Sequence, residues 1–239
     1  MRTLWLMSSL QHAQDPPSSP AKHVLDQAMH HILVYSDSLT WGIIPGTRRR
    51  LSFTSRWPGV MEITLQQAGT PARVIEDCLN GRRTVFEDPY KAGRNGLVGL
   101  EQRIEVNSPL DLVILMLGTN DFQSMYVHNA WHSAQGIAAL IDSIRRAPTE
   151  PGMPVPKILI VSPPKVQIPQ GHIAPKFEGA AEKCTGLAVA FEQVARDRGC
   201  EFFDAERVTA TSKVDGVHLD EDQHLTLGRA LADVVASLI

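Results

Sequence analysis

Six consecutive apolar residues, Leu112-Val113-Ile114-Leu115-Met116-Leu117, stand near the middle of the chain. A strand with one wet face alternates apolar and polar side chains, so an unbroken run is that of a strand covered on both faces. Four shorter runs read as further strands: Ile32–Tyr35, Arg73–Glu76, Lys157–Val161 and Glu201–Phe203. Amphipathic or Ala-rich segments lie between and after them. Their spacing predicts helices over Trp57–Gln67, Gly96–Glu105, Ser133–Arg146, Gly179–Arg198 and Glu221–Leu238. Strands alternating with helices build a parallel sheet with right-handed crossovers, so the expected fold is α/β with five parallel strands. A site is then expected at the carboxyl ends of the strands.

Composition removes several other classes. A chain of 239 residues buries a core without disulfides or metals. Its 43% hydrophobic and 21% charged residues exclude wholesale disorder. No apolar run approaches the roughly 20 residues of a membrane span. A formal charge of -3 gives no drive toward phosphate backbones, so neither nucleic acid nor membrane is an expected partner. Cys78, Cys184 and Cys200 lack C-x-x-C spacing and read as buried thiols in a reducing, cytoplasmic setting. Residues 1–29 are irregular, with the breaker Asp15-Pro16-Pro17-Ser18-Ser19-Pro20. The apolar stretch Leu4-Trp5-Leu6-Met7 falls short of the ~7–15 residues of an export signal. One domain is expected over 30–239.

Unusual polar residues appear where the strands stop. The first strand runs into Ser36-Asp37-Ser38-Leu39-Thr40-Trp41-Gly42, the second into Cys78-Leu79-Asn80-Gly81-Arg82, and the third into Gly118-Thr119-Asn120-Asp121. Val214-Asp215-Gly216-Val217-His218-Leu219 precedes the last helix. The topology gathers these segments at one sheet edge. Together they offer a hydroxyl, accessible backbone N–H groups, a carboxamide, and a carboxylate with an imidazole. That is an acyl-transfer inventory.

On these residues the sequence resembles the SGNH (GDSL-type) hydrolases, esterases and lipases with a flavodoxin-like three-layer α/β/α sandwich. Asp37-Ser38-Leu39, Asn80-Gly81, Gly118-Thr119-Asn120-Asp121 and Asp215-x-x-His218 match the family's four blocks in order. The flanking Ser38-Leu39-Thr40-Trp41-Gly42 and Leu115-Met116-Leu117-Gly118-Thr119-Asn120-Asp121 are more similar to the bacterial arylesterase/acyltransferase branch. The resemblance implies Ser38 as nucleophile, His218 as base and Asp215 as its orienting carboxylate. It assigns oxyanion donors to the Ser38 N–H, the Gly81 N–H and the Asn120 amide. It implies no cofactor and no metal. Chemistry agrees, because a serine hydroxyl needs a base within hydrogen-bond reach, and the base needs its tautomer fixed.

One position departs from the pattern: Ser36 stands where the family usually has Gly, which adds a second hydroxyl near the site. Spacing to the Asp-Ser-Leu core favours Ser38. His224 is a rival base, although its place in the last helix favours packing. His128 and His132 have helical metal-ligand spacing without a third ligand. Arg48-Arg49-Arg50 reads as a solvated loop or a subunit contact.

The expected substrates are short acyl or aryl esters, cleaved through an acyl-enzyme with water or a small alcohol as acceptor. Trp41, Ile43 and Phe122 are the candidate substrate-binding residues. With Ile44, Met125, Tyr126, Trp131 and the long Pro163–Phe177 loop they suggest a narrow, apolar mouth. A carbohydrate O-deacetylase of the same fold and a non-catalytic flavodoxin-like binding module are the alternatives. Long loops and the branch resemblance point to a homo-oligomer.

Overall fold

A computed structural model of the chain describes residues 29–239; the expected irregular extension lies almost wholly outside them. Five strands form one parallel sheet: β1 (His30–Ser36), β2 (Ala72–Cys78), β3 (Leu112–Met116), β4 (Lys157–Ser162) and β5 (Glu201–Asp204). Their order across the sheet is β2-β1-β3-β4-β5. The helices are α1 (Ser38–Trp41), α2 (Trp57–Gln67), α3 (Leu100–Asn107), α4 (Ala130–Arg146), α5 (Ala174–Phe177), α6 (Ala180–Lys183), α7 (Leu187–Arg198) and α8 (Glu221–Ala236).

The period-2 geometry of the strands divides the core into two layers. Leu33, Tyr35, Val113, Leu115, Ile158 and Ile160 pack beneath α3, α4 and α7, with Leu100, Ile137, Leu140, Ile141 and Phe191 facing them. The alternate positions Ile32, Val34, Leu112, Ile114, Leu159 and Val161 pack beneath α2 and α8, against Trp57, Met61, Leu227 and Leu231. Both faces of β3 are therefore dry, which is why its sequence lacks polar alternation. The three-layer α/β/α sandwich is the flavodoxin-like strand order, and its direction reverses between β1 and β3.

All five expected strands are present, but two helices differ from expectation. The segment over Gly179–Arg198 is not one helix: Gly186 takes the left-handed region at φ 82° and separates α6 from α7. Gly99, also left-handed at φ 79°, delays α3 to Leu100. In both places the apolar spacing continues across a residue that the helical backbone cannot include.

α2 and α8 approach closely because Gly228 has no side chain. A Cβ there would lie 2.6 Å from Val60 Cβ and 2.7 Å from the carbonyl oxygen of Trp57. Gly228→Ala gains about 1 kcal/mol of helix propensity but forces the two helices apart, an overpacking cost of about 1–3 kcal/mol. Because backbone oxygen cannot yield as a side chain does, the variant is expected to unfold at lower urea concentration with an unchanged m-value. A midpoint at or above wild type would show that the helices separate freely.

Candidate active site

β1 ends at Ser36, and Asp37 begins the turn into α1, its Oδ1 accepting from the Leu39 N–H at 3.0 Å. This cap places Ser38 at the first helical position. From the far end of the chain, the loop before α8 brings Asp215 and His218. His218 Nε2 lies 3.2 Å from Ser38 Oγ, and His218 Nδ1 lies 2.8 Å from Asp215 Oδ2. The other Asp215 oxygen accepts from the N–H groups of Val217 and His218, both at 2.9 Å. Three residues thus close a tight loop around one carboxylate. Burial alone would raise the Asp215 pKa, but the His218 ring and these N–H donors outweigh it and hold it at about 2. Asp215 is therefore ionised at neutral pH and keeps Nδ1 as the protonated nitrogen, leaving Nε2 to accept from Ser38.

This loop is clasped from outside. The main-chain N–H of Gln167 donates to the carbonyl of Gly216 at 2.9 Å, and that of Gln170 to the carbonyl of Asp215 at 3.0 Å. Gly216 is left-handed at φ 75°, and a Cβ on it would sit 2.5 Å from the Ile168 carbonyl oxygen. Only glycine fits between the two loops.

Across the cavity, the segment after β3 supplies Asn120. Its amide is oriented by a chain of hydrogen bonds with unambiguous ends. Arg83, a donor only, donates to Gln123 Oε1 at 2.6 Å. Gln123 Nε2 donates to Asn120 Oδ1, and Asn120 Nδ2 donates to Asp37 Oδ2, both at 2.8 Å. An obligate donor at one end and a carboxylate at the other leave one arrangement for both amides, with the Asn120 NH₂ beside Ser38. One of its hydrogens remains for a ligand. The N–H groups of Ser38 and Gly81 donate to no protein group among the described residues, and all three residues line one cavity. Gly81 turns the chain there in the left-handed region, at φ 85°.

Two further carboxylates stiffen the floor. Asp37 is fully buried, which pushes its pKa up to about 6 against the Leu39, Asn120 and His218 interactions that lower it. Burial also raises Asp121 to about 6. Asp121 accepts from Ser133 Oγ at 2.6 Å and from the Thr84 hydroxyl and N–H at 2.8 and 3.0 Å, tying the β2–α3 loop to α4.

The structure separates the other candidates. Ser36 is fully buried, its hydroxyl donating to the Met116 carbonyl and lying 2.6 Å from Thr40 Oγ1; it joins β1 to β3 and faces no cavity. His224 is buried, with Nδ1 accepting from the Trp57 N–H at 3.2 Å. Burial, then the nearby His218 and Arg56, lower its pKa to about 3, so it stays neutral as a cap of α2. His128 stacks on Phe86 with ring centroids 3.8 Å apart, and His132 caps α4 with Asn129.

Among the substrate-binding candidates, Ile43 lines the cavity with Ser38. Phe122 and Trp41 do not. Phe122 is fully buried in the core beneath α4, because the 3₁₀ turn after β3 points it inward. Trp41 faces the Arg50 guanidinium, 4.7 Å from the ring centroid. The mouth is also not apolar: Arg48, Asp88, Lys91 and Lys176 line it beside Ile173 and Phe177. Arg48 was legible only as part of a basic run, and Lys91 and Lys176 carried no sequence signal.

A buried hydroxyl–imidazole–carboxylate line, facing three N–H donors at the switch point of a parallel sheet, is the equipment of an acylhydrolase. Residues 37–227 match the model of the GDSL-like lipase/acylhydrolase family, and the chain belongs to that family. It is a carboxylic ester hydrolase. Among solved structures, a carbohydrate acetylesterase from Sinorhizobium meliloti superposes with a TM-score of 0.83 at 34% identity, over 88% of this chain and 100% of that one. The aryl esterase of M. smegmatis gives 0.82 at 35% identity, again over 88% and 100%. A lipase/acylhydrolase from Enterococcus faecalis, 14% identical, shares the fold with a TM-score of 0.62 over 87% and 96%. No curated protein matches the chain significantly.

The raised Asp121 pKa makes a signed prediction. Between its unfolded value near 3.8 and its folded value of about 6, the folded protein binds more protons, so stability from this group falls as pH rises through that window. Asp121→Asn removes the dependence. In urea titrations from pH 4 to 7, the wild type should lose stability relative to the variant by on the order of 2 kcal/mol. A constant difference across that range would contradict the shift.

Proposed function

We propose that the protein hydrolyses esters of short carboxylic acids through a Ser38 acyl-enzyme. The observation that carries this reading is the line Ser38–His218–Asp215, with its 3.2 and 2.8 Å links, opening onto a cavity of about 60 Å³. The cavity is small and partly open to solvent, which supports a short acyl group over a long one.

In the first step His218 Nε2 takes the Ser38 proton as Oγ attacks the ester carbonyl. Negative charge then develops on the carbonyl oxygen, where the N–H groups of Ser38 and Gly81 and the free Asn120 hydrogen are already aimed. Such donors cost no reorganisation during the reaction, and each contributes about 2.7–4 kcal/mol. Protonated His218, stabilised by Asp215, returns its proton to the departing alkoxide. Water enters in the alcohol's place and repeats the sequence in reverse.

The apolar mouth expected from the sequence is replaced by a charged rim, which supports hydrolysis as the main fate. Transfer to ethanol or benzyl alcohol is then expected only in proportion to alcohol concentration. Sugar acetates are the second reading, favoured by the Sinorhizobium meliloti neighbour. Phe177, the one Phe, Tyr or Trp lining the cavity among the described residues, is itself buried and offers no stacking platform for a sugar ring.

Ser38→Ala and His218→Ala should each lower kcat on p-nitrophenyl acetate by about 10⁴-fold or more, and the double variant little further, because the pair acts as a unit. A fluorophosphonate should label the wild type once and leave Ser38→Ala unlabelled by intact mass. Labelling that persists in Ser38→Ala would assign the nucleophile elsewhere.

Asn120→Ala should lower kcat by about 10²–10³ with little change in KM. Gln123→Leu removes the donor that orients the Asn120 carbonyl, and is expected to lower kcat by a smaller factor. A change confined to KM would make Asn120 a ground-state contact. Rates should also fall from acetate to octanoate esters, and a flat chain-length profile would contradict a small acyl cavity.

A further inference from the structure

Three cations from three distant segments meet at the mouth of the Ser38 cavity: Arg48 from the loop after α1, Lys91 from the loop between β2 and α3, and Lys176 from α5. None pairs with a carboxylate among the described residues. Arg50 lies 3.4 Å from Glu76 and Arg56 2.5 Å from it, while Arg82 pairs with Asp77; Arg94 bonds to the carbonyls of Asn80 and Ala92. Asp88 is the one carboxylate lining the mouth among the described residues, and it is already matched. Its Oδ2 lies 2.9 Å from the buried Arg83 guanidinium, and its Oδ1 accepts from the N–H groups of Tyr90 and Lys91.

The three side chains line one cavity and are exposed to solvent. The Lys176 pKa is lowered first by partial burial and then by Arg83, with Asp88 opposing and Lys91 and Arg48 adding to the repulsion. Lys176 is also anchored, since its carbonyl accepts from the Ser124 N–H at 2.8 Å and its ammonium lies 5.8 Å from the Phe177 ring centroid. A neutral ester would leave this repulsion unrelieved. An oxyanion would cancel it, because it can accept charge-assisted hydrogen bonds from two or three of these groups at once.

We propose that the natural substrate is an anionic ester, one that carries a carboxylate close to the bond that is cut. This rests on the reading of the cavity as the ester site and adds the substrate class to it. The cavity beside Ser38 is filled by the short acyl group, so the carboxylate sits at the mouth, where Arg48, Lys91 and Lys176 converge. It reaches that place from the alcohol part or from the end of a short dicarboxylic acyl chain. Arg48, Lys91 and Lys176 are then specificity-determining residues, and they take no part in bond making or breaking.

Two pairs of matched esters test this. 4-Acetoxybenzoate against 4-acetoxybenzamide places the charge on the leaving group, and phenyl hemisuccinate against phenyl butyrate places it on the acyl chain. The readout is the ratio of kcat/KM, anionic over neutral, taken within each variant so that general losses cancel. At 50 mM NaCl the wild-type ratio should be about tenfold or more in one pair, and it should fall several-fold at 500 mM as the rim is screened. The pair that responds tells which side of the ester carries the charge. The ratio should drop toward one in Lys91→Met/Lys176→Met and in Arg48→Met, and survive in Lys176→Arg. Wild-type ratios at or below one in both pairs, or a ratio that survives in the Lys91→Met/Lys176→Met variant, would overturn the proposal. Loss of all ester turnover, neutral and anionic, with Ser38 unlabelled, would overturn the esterase reading beneath it and is told apart by that labelling.

Discussion

One oxygen of Asp37 caps the short helix that carries Ser38, and the other accepts from the amide of Asn120, 83 residues further along the chain. Ser38 and Asn120 are therefore referred to the same carboxylate. Beyond Asn120 the chain of bonds continues through Gln123 to Arg83, so three loops share one direction of hydrogen-bond donation. An amide side chain is nearly symmetrical in shape and would rotate end for end without such a chain. A carboxylate and a guanidinium at its two ends forbid the rotation. Burying the carboxylate is costly, as its raised pKa records, and the cost secures the geometry on which the proposed chemistry depends.

The opposite half of the site is organised differently. Asp215 takes two backbone N–H donors from its own turn before it reaches the His218 ring, so the imidazole is aligned by a local loop with little help from the core. The two halves also differ in proton affinity. Asp215 is held low by its donors, whereas Asp37 and Asp121 are pushed up by burial. The environment thus keeps one carboxylate permanently charged beside the imidazole and holds two others near the edge of ionisation in the floor.

Much of this was legible in the sequence. The unbroken apolar run of β3 required a doubly covered strand, and the alternation of short and long segments required a parallel sheet. From there the four polar segments at strand ends pointed to the residues that the fold gathers. Short-range signals were less reliable where a left-handed glycine interrupted an otherwise continuous apolar spacing, as at Gly186 and Gly99. Side-chain direction was least legible. Phe122 and Trp41 stand next to the right strand ends, yet one turns into the core and the other lies against Arg50. Adjacency in sequence to a strand end says nothing about which way a 3₁₀ or helical turn aims its residues. The cations of the mouth were hidden for a related reason: Lys91 and Lys176 lie 85 residues apart in segments without periodicity, and only the fold brings them to one cavity.

The contact between residues 167–170 and the loop of Asp215 and His218 bears on how such an enzyme can change. The 163–177 segment supplies Ile173, Lys176 and Phe177 to the cavity wall, so under the proposed function it is a natural place for insertions or substitutions that alter selectivity. Yet Gln167 and Gln170 hold the backbone that positions the imidazole, and Gly216 leaves no slack between them. Lengthening that segment moves the imidazole. The 88–99 stretch on the other side acts on the donor side, through Asp88 on Arg83 and through Arg94, whose Nε donates to the carbonyl of the Asn80–Gly81 peptide, and its changes spare the imidazole. In the proposed chemistry, remodelling the entrance from one side thus trades against proton transfer, and from the other against charge stabilisation, so the two losses are separable in pH and leaving-group dependence.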